Sequence, residues 1–426
     1  MMGEEGYVHH WVKESGDMHK LEGGYRIKIH NTGSIETMLF DYAEKYMKSA
    51  YSITDYMLER NDISVLDTFF FPIAFLFRHS IELCLKACIF VHVIEEEQRI
   101  DLMDRTKHNL RDLFEELETH IGETVDLESN YVEWLKSFLC NINDVDKESD
   151  SFRYPFGITI YKDLQGNKEF GIKTLFGEQT HIDLVKFGNK MLFAYEIVKS
   201  IYLNTFDELD KFPEVDPTLF EEGGQYYAQC VVGYKYSHEK FHPFVRAYKD
   251  APKVLYDLMM STEGEEYNQS AREMFLPMCY LFRNATELLI KQIMFEESSY
   301  GYQEALKKFS KKKHKIVGLW NLIIDEIVQH ADADESDTTD EIAFNYINQI
   351  NDIDVRADIF RYPINNRLCA YFTESKEFDV ENVYEFFMEI LNLLDAVDSM
   401  MSVHNEWKAD MEYEMQQCYS DYYNDY

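Results

Sequence analysis

The spacing of apolar residues predicts a chain built mainly from helices. Residues 37–60 carry their aromatic and aliphatic side chains at helical spacing and predict a first helix. Residues 66–97 predict a second helix of another kind. Its centre, 68–90 (TFFFPIAFLFRHSIELCLKACIF), is apolar on every side except for Arg78, His79, Glu82 and Lys86. A helix that is apolar all round belongs in a protein core or a membrane. Pro72 falls near its start, where a missing N–H is tolerated. An amphipathic pattern opens at His108 with apolar residues at 110, 113, 114 and 117, and another occupies 131–142. Residues 158–176 alternate β-prone side chains about a Gln-Gly-Asn turn, which predicts a hairpin. Residues 182–204 predict a long helix. Ahead of all these, GYRIKI at 24–29 predicts a short strand.

The pattern then starts again. Residues 273–295 (EMFLPMCYLFRNATELLIKQIMF) align with the apolar stretch without a gap. They share Phe70/Phe275, Pro72/Pro277, Leu-Phe-Arg ending at Arg78/Arg283, Glu82/Glu287, Lys86/Lys291 and Phe90/Phe295. A second echo joins Ile142-Asn-Asp-Val-Asp146 and Phe152-Arg153-Tyr154-Pro155 to Ile350-Asn-Asp-Ile-Asp354 and Phe360-Arg361-Tyr362-Pro363. A repeat of this kind sets the architecture. It predicts a polar N-terminal extension (1–36), a first helical domain (37–205), a Pro- and Gly-bearing linker (206–240), a second domain (241–402) and an acidic, tyrosine-rich tail (403–426). In the second domain, 241–260 replays the first helix, 274–297 the central one, and His314 opens the counterpart of the His108 pattern. A shorter second hairpin (368–380) precedes a closing helix over 381–401. Residues 226–236 predict a strand matching GYRIKI. The tail predicts a helix that frays towards its end.

A length of 426 residues suits two or three domains, and the repeat selects two. The formal net charge of −36 repels polyphosphate, which counts against broad nonspecific nucleic-acid binding and leaves room only for a local basic patch. The seven cysteines are scattered, odd in number and free of CxxC pairs, so neither a disulfide framework nor a zinc site is expected. Cys84 and Cys88 read as small apolar packing residues. The N-terminal residues lack the basic and apolar regions of a signal peptide. A charge at a bilayer centre costs roughly 2.5–3.5 kcal/mol, so the two apolar stretches are expected as core helices of a cytoplasmic protein.

Each apolar stretch carries Arg, Glu and Lys at i, i+4 and i+8: Arg78, Glu82 and Lys86, then Arg283, Glu287 and Lys291. These make one polar stripe that must be satisfied inside a core. The residue after each Arg is also polar (His79, Asn284). A His after a basic residue recurs at matched places (His108, His314), as does the Arg-Tyr-Pro turn (Arg153-Tyr154, Arg361-Tyr362). Two readings stand. The stripe is a ladder of ion pairs, with Arg153 and Arg361 holding the halves together. Alternatively, Arg, His and a second cation converge on a phosphate or carboxylate in a cleft. The lysine run at 307–315 reads as a solvated helix end or loop, and the acidic run at 332–341 as a solvated loop. His9 and His10 have no partner residues that would make them ligands. No Gly-rich phosphate loop, GxSxG, HExxH or calcium-loop pattern is present, so no cofactor or metal is expected.

LFRHSIELCLKA and LFRNATELLIKQ, with the His-started helix and the Arg-Tyr-Pro turn, resemble the central region of HEPN-type domains over roughly 40–205 and 240–402. The resemblance implies an all-α protein of two tandem HEPN-like helical bundles with small β-hairpin insertions, arranged as an intramolecular pseudo-dimer whose central helices face each other. Many such domains are metal-independent endoribonucleases with an Arg, a polar neighbour and a His a few residues on. Arg78-His79 and Arg283-Asn284 match the first part. The closing His is missing, since 83–85 are Leu-Cys-Leu and 288–290 Leu-Leu-Ile. The resemblance therefore implies Arg78, His79, Glu82, Arg283, Asn284 and Glu287 as the lining of a shared cleft. Lys86, His108, Arg153, Tyr154, Lys291, His314, Arg361 and Tyr362 are implied as further binding residues. It leaves two functions open: a non-catalytic sensor, interaction or ligand-binding module in an antiphage defence or toxin–antitoxin system, or a ribonuclease of non-standard motif causing abortive infection. A protein partner from such a system is expected and a membrane is not; RNA, a nucleotide and a homo-oligomer stay open.

Overall fold

A computed structural model describes residues 10–122, 125–127, 129–205, 215–233, 240–332 and 336–424, with side chains as far as 419. Residues 1–9, two parts of the expected linker (206–214 and 234–239, the latter taking the end of the expected second strand) and part of the acidic loop (333–335) lie outside the described residues. The chain is mostly helical. Strand β1 (Arg26–Ile29) leads to helices α1 (Ile35–Arg60), α2 (Ile63–His92), α3 (Glu96–Thr106), α4 (Leu110–Ile121) and α5 (Asn130–Val145). Then come β2 (Gly157–Lys162), β3 (Lys168–Lys173), β4 (Thr180–Asp183) and α6 (Leu184–Leu203). The second half follows in the same order: β5 (Gln229–Val232), α7 (His242–Met260), α8 (Gly264–Gln292), α9 (Tyr302–Lys312), α10 (Ile316–Ala331), α11 (Thr339–Ile353), β6 (Lys376–Asp379) and α12 (Val380–Asn424). No helix among the described residues is long and apolar enough to cross a membrane.

Local chemistry explains several of the boundaries. Asp62 caps α2 by accepting the Ser64 N–H at 2.9 Å, and Asn109 caps α4 by accepting from Arg111 and Asp112. Asp183 does the same for α6 through Lys186 N–H. Every residue from 69 to 90 is buried, as is every residue from 275 to 294, so α2 and α8 form the centre of one continuous apolar core that draws on both halves.

Three expectations are corrected. The central helix stops at His92, and a separate α3 begins at Glu96. Pro72 sits well inside α2, not in its first turn. The second half has no hairpin over 368–380: that stretch holds one isolated bridge, Ile364 to Ala370, and β6 turns away to pair with β1. The helix expected in the tail is present, as a continuation of α12 to Asn424. The first hairpin is present as β2–β3, with Gly157 opposite Lys173.

The strand pairings cross between halves. β1 pairs antiparallel with β6, Ile27 opposite Phe378, and β5 pairs with β4, Cys230 opposite Ile182. Thus the strand that opens each half completes the strand before the closing helix of the other. The segments ahead of these strands act as straps. Met18 N–H donates to Gln349 Oε1 (2.8 Å) on α11, and Trp134 on α5 donates to Val215 O (2.7 Å). Pairing strands this far apart in sequence costs loop-closure entropy, which the packing between the halves offsets.

Candidate functional site

The polar stripe of α2 is the centre of a buried network. Glu82 Oε1 accepts three hydrogen bonds: from Lys86 Nζ (2.7 Å), His108 Nδ1 (2.9 Å) and Tyr362 OH (2.9 Å). Its Oε2 accepts from Arg78 Nη1. Arg78 also donates from Nη2 to the His108 carbonyl, and its Nε lies 3.2 Å from Asp146 Oδ2. Arg78 and Lys86 against Glu82 and Asp146 leave no net charge, which is what makes such burial tolerable.

The stripe of α8 repeats this almost atom for atom. Glu287 Oε1 accepts from Lys291 Nζ (2.7 Å), His314 Nδ1 (3.0 Å) and Tyr154 OH (3.0 Å), and Oε2 accepts from Arg283 Nη1. Arg283 Nη2 donates to the His314 carbonyl, and its Nε lies 3.7 Å from Asp354 Oδ2.

The tyrosine in each network comes from the other half. Tyr362, in the Arg-Tyr-Pro turn of the second half, completes the Glu82 cluster, and Tyr154 completes the Glu287 cluster. Each turn is held there by two further bonds. Tyr46 on α1 donates to Phe360 O (3.1 Å), and Tyr248 on α7 donates to Phe152 O (2.9 Å). His79 Nε2 bonds to Arg361 O (3.0 Å), and Asn284 Nδ2 reaches Arg153 O at 3.5 Å. Between the clusters Phe75 and Tyr280 meet with ring centroids 4.8 Å apart. Arg153 lies over Phe75 and Arg361 over Tyr280, at 5.6 and 5.5 Å. Each of these arginines also donates backwards to the carbonyl of a left-handed residue, Ser149 (φ 61°) or Ala357 (φ 62°), and pairs with Asp150 or Asp358.

All the residues singled out in the sequence are therefore brought together, but not around an open cleft. Arg78, His79, Glu82, Arg283, Asn284 and Glu287 are at most 1% exposed, and Arg153 and Arg361 are buried with them. The expectation that they line a shared cleft is corrected: each is enclosed by its own partners and by the other half. The exceptions are the two histidines from the helix-opening positions. The side chains of His108 and His314 are 31% and 30% exposed. Because Nδ1 of each is committed to the buried glutamate, Nε2 is the ring atom left for solvent.

Burial alone would raise the Glu82 carboxyl, but Lys86, His108 and Arg78 together hold it well below the usual carboxylate range. Lys291, His314 and Arg283 do the same against burial for Glu287. Burial lowers His79 far below the ordinary histidine value, and lowers His108 and His314 despite the glutamate beside each. Tyr154 and Tyr362 are pushed well above 10 by burial and then by the adjacent glutamates, so both remain donors.

The residue before each of these partly exposed histidines is backbone-strained. Lys107 (φ 48°, ψ −105°) and Lys313 (φ 53°, ψ −115°) occupy a region that favours glycine. The strain places the next carbonyl under Arg78 or Arg283 and the imidazole over the glutamate. The lysine run belongs to the end of α9 and the turn after it, where Lys308 pairs with Glu304 at 3.5 Å. Asp146, Asp354, Tyr46 and Tyr248 were not singled out as site residues. The first two stood in a repeated Ile-Asn-Asp-x-Asp frame that could have flagged them. The tyrosines had no signal beyond similar depth in the opening helix of each half. Among the described residues no cluster of three or more His, Cys, Asp or Glu is placed to hold a metal ion. No family model, no curated protein and no solved structure matches the chain.

Proposed function

We propose that this chain is a tandem HEPN-like protein of a defence or toxin–antitoxin system that works as a non-catalytic sensor or interaction module. One observation carries the reading. The Arg–polar pairs that would contact RNA in a nuclease of this kind, Arg78-His79 and Arg283-Asn284, are sealed in ion pairs and cross-half hydrogen bonds. Reaching them would mean parting the cross-half contacts that cover them and then breaking ion pairs inside each half, at about 3–5 kcal/mol for a broken buried pair. The motif in this chain is a clamp that makes two halves one body, and recognition is left to the outer surface.

A second reading has its own support. His108 and His314 are partly exposed, and each has Nδ1 held by a carboxylate, which leaves Nε2 unengaged, as a general base requires. Incubating the full chain with end-labelled single-stranded RNA in EDTA separates the two. The interaction reading expects no cleavage above buffer. Cleavage by wild type that disappears in the folded His108→Gln/His314→Gln variant would replace it with a ribonuclease using displaced histidines.

A further inference from the structure

The closing helix of the second half leaves the body of the protein. Met401 is buried, whereas Val403, Trp407, Met411 and Met415 further along α12 are exposed, Trp407 by 60%. Upstream, Leu393, Val397 and Met400 of the same helix line an apolar groove of about 610 Å³, walled by Trp320 and Ile324 of α10 and by Trp11 of the N-terminal strap. From Leu393 through Val397, Met400, Trp407 and Met411 to Met415 the spacings are four, three, seven, four and four residues. Those spacings keep one face of a helix. Groove and arm are thus one apolar track, about 33 Å long at 1.5 Å per residue.

The track has an acidic edge. Glu406, Asp410 and Glu414 form a row at i, i+4 and i+8 beside Trp407, Met411 and Met415. Like charges at this spacing weaken a helix, and among the described residues none of the three has a cationic partner. Asp337 and Asp340 stand at the groove itself. An exposed apolar track of this length marks an interaction surface. The acidic row specifies its occupant, since burying the track against a second acidic arm would bring like charges together.

We propose that the groove between α10, α11 and α12, together with the arm 403–419, docks a basic amphipathic helix of a partner protein, its apolar face on the track and its lysines or arginines along Glu406, Asp410 and Glu414. This rests on the interaction reading above and names the surface and the chemistry of the partner. Trp407 is the anchor, as a large aromatic at the centre of the track.

The test uses the full chain and two fluorescein-labelled model peptides of about twenty residues, long enough to follow roughly 30 Å of track. One carries a leucine stripe flanked by lysines, and the other the same stripe flanked by glutamates. Fluorescence anisotropy is expected to show saturable binding of the lysine peptide, weakened by added salt, and none of the glutamate peptide. Affinity should fall at least about tenfold in Trp407→Ala/Met411→Ala, and also in Glu406→Gln/Asp410→Asn/Glu414→Gln. Both variants lie outside the core, and unchanged thermal unfolding of the body checks that they fold. The proposal is overturned if neither peptide binds, if both bind equally, or if the variants bind as wild type does. It is also overturned if sedimentation shows a dimer that Trp407→Ala/Met411→Ala makes monomeric, because a second copy is then the occupant. The RNA assay on the same preparation keeps the readings apart. Peptide failure without cleavage sinks the docking surface alone, whereas histidine-dependent cleavage sinks the interaction reading.

Discussion

Tyr362→Phe is the sharpest probe of the cross-half clamp. It deletes one oxygen and keeps the ring, which packs edge-on to His79 at 4.9 Å and under Lys86 at 5.3 Å. What is lost is the 2.9 Å hydrogen bond to Glu82 Oε1, with the longer 3.2 Å contact to His108 Nδ1 beside it. A hydrogen bond to a charged group contributes about 1.5–3 kcal/mol. Lys86 and His108 still hold that oxygen and Arg78 the other, so no charge is orphaned and the larger penalty of a broken ion pair does not apply. The expected loss is about 2 kcal/mol, and Tyr154→Phe, losing the equivalent bond to Glu287, should match it. The clusters share no hydrogen bond, so the double variant should lose about 4 kcal/mol. Urea unfolding followed by circular dichroism at pH 7.5 measures this through the shift in midpoint at constant slope. In a Glu82→Gln background the acceptor is neutral, so the cost of Tyr362→Phe should fall by about half. An unchanged cost there, or single-variant losses under about 0.5 kcal/mol, would refute the reasoning.

Other expectations follow from the same network. Glu82→Gln and Glu287→Gln each leave Arg and Lys facing a neutral amide, and each should cost about 3–5 kcal/mol in the same urea assay. Lys107→Gly and Lys313→Gly relieve a positive φ at the cost of unfolded-state entropy, and should each raise stability by about 1 kcal/mol. The pH dependence has a worked sign. His79, His108 and His314 have folded values below 6.5, so as pH drops from about 7 towards 5 the unfolded chain takes up protons that the folded chain refuses, and stability falls. Glu82 and Glu287 are depressed, so their contribution is present above about 4.3 and is lost as pH falls through their folded values. Urea midpoints between pH 8 and 4 should decline throughout, and a rise between pH 7 and 5 would contradict the histidine assignment. His108→Gln/His314→Gln should flatten that slope.

The local elements were legible because they depend on short-range physics. The helical period of 37–60, the turn chemistry of the Gln-Gly-Asn hairpin and the repeat of Arg78–Glu82–Lys86 at Arg283–Glu287–Lys291 all reappear as α1, β2–β3 and the two ladders. That a helix as apolar as 68–90 must be buried, and its polar stripe satisfied, also followed from the residues alone. What could not be read was which half satisfies which. Tyr362 reaches Glu82 across a separation of 280 residues, and β1 reaches β6 across some 350. Nothing in a sequence pattern distinguishes a turn that folds back on its own half from one that crosses to the other. For the same reason the sequence could not separate a sealed clamp from an open cleft: both need Arg, Glu, Lys, His and Tyr at these spacings. Only the packing of the other half over each stripe excludes water from Arg78 and Arg283 while leaving an edge of His108 and His314 outside. The residues determined that a charged stripe would lie in a core. The tertiary structure decided that it would join two halves, because a buried carboxylate needs more donors than its own helix can supply.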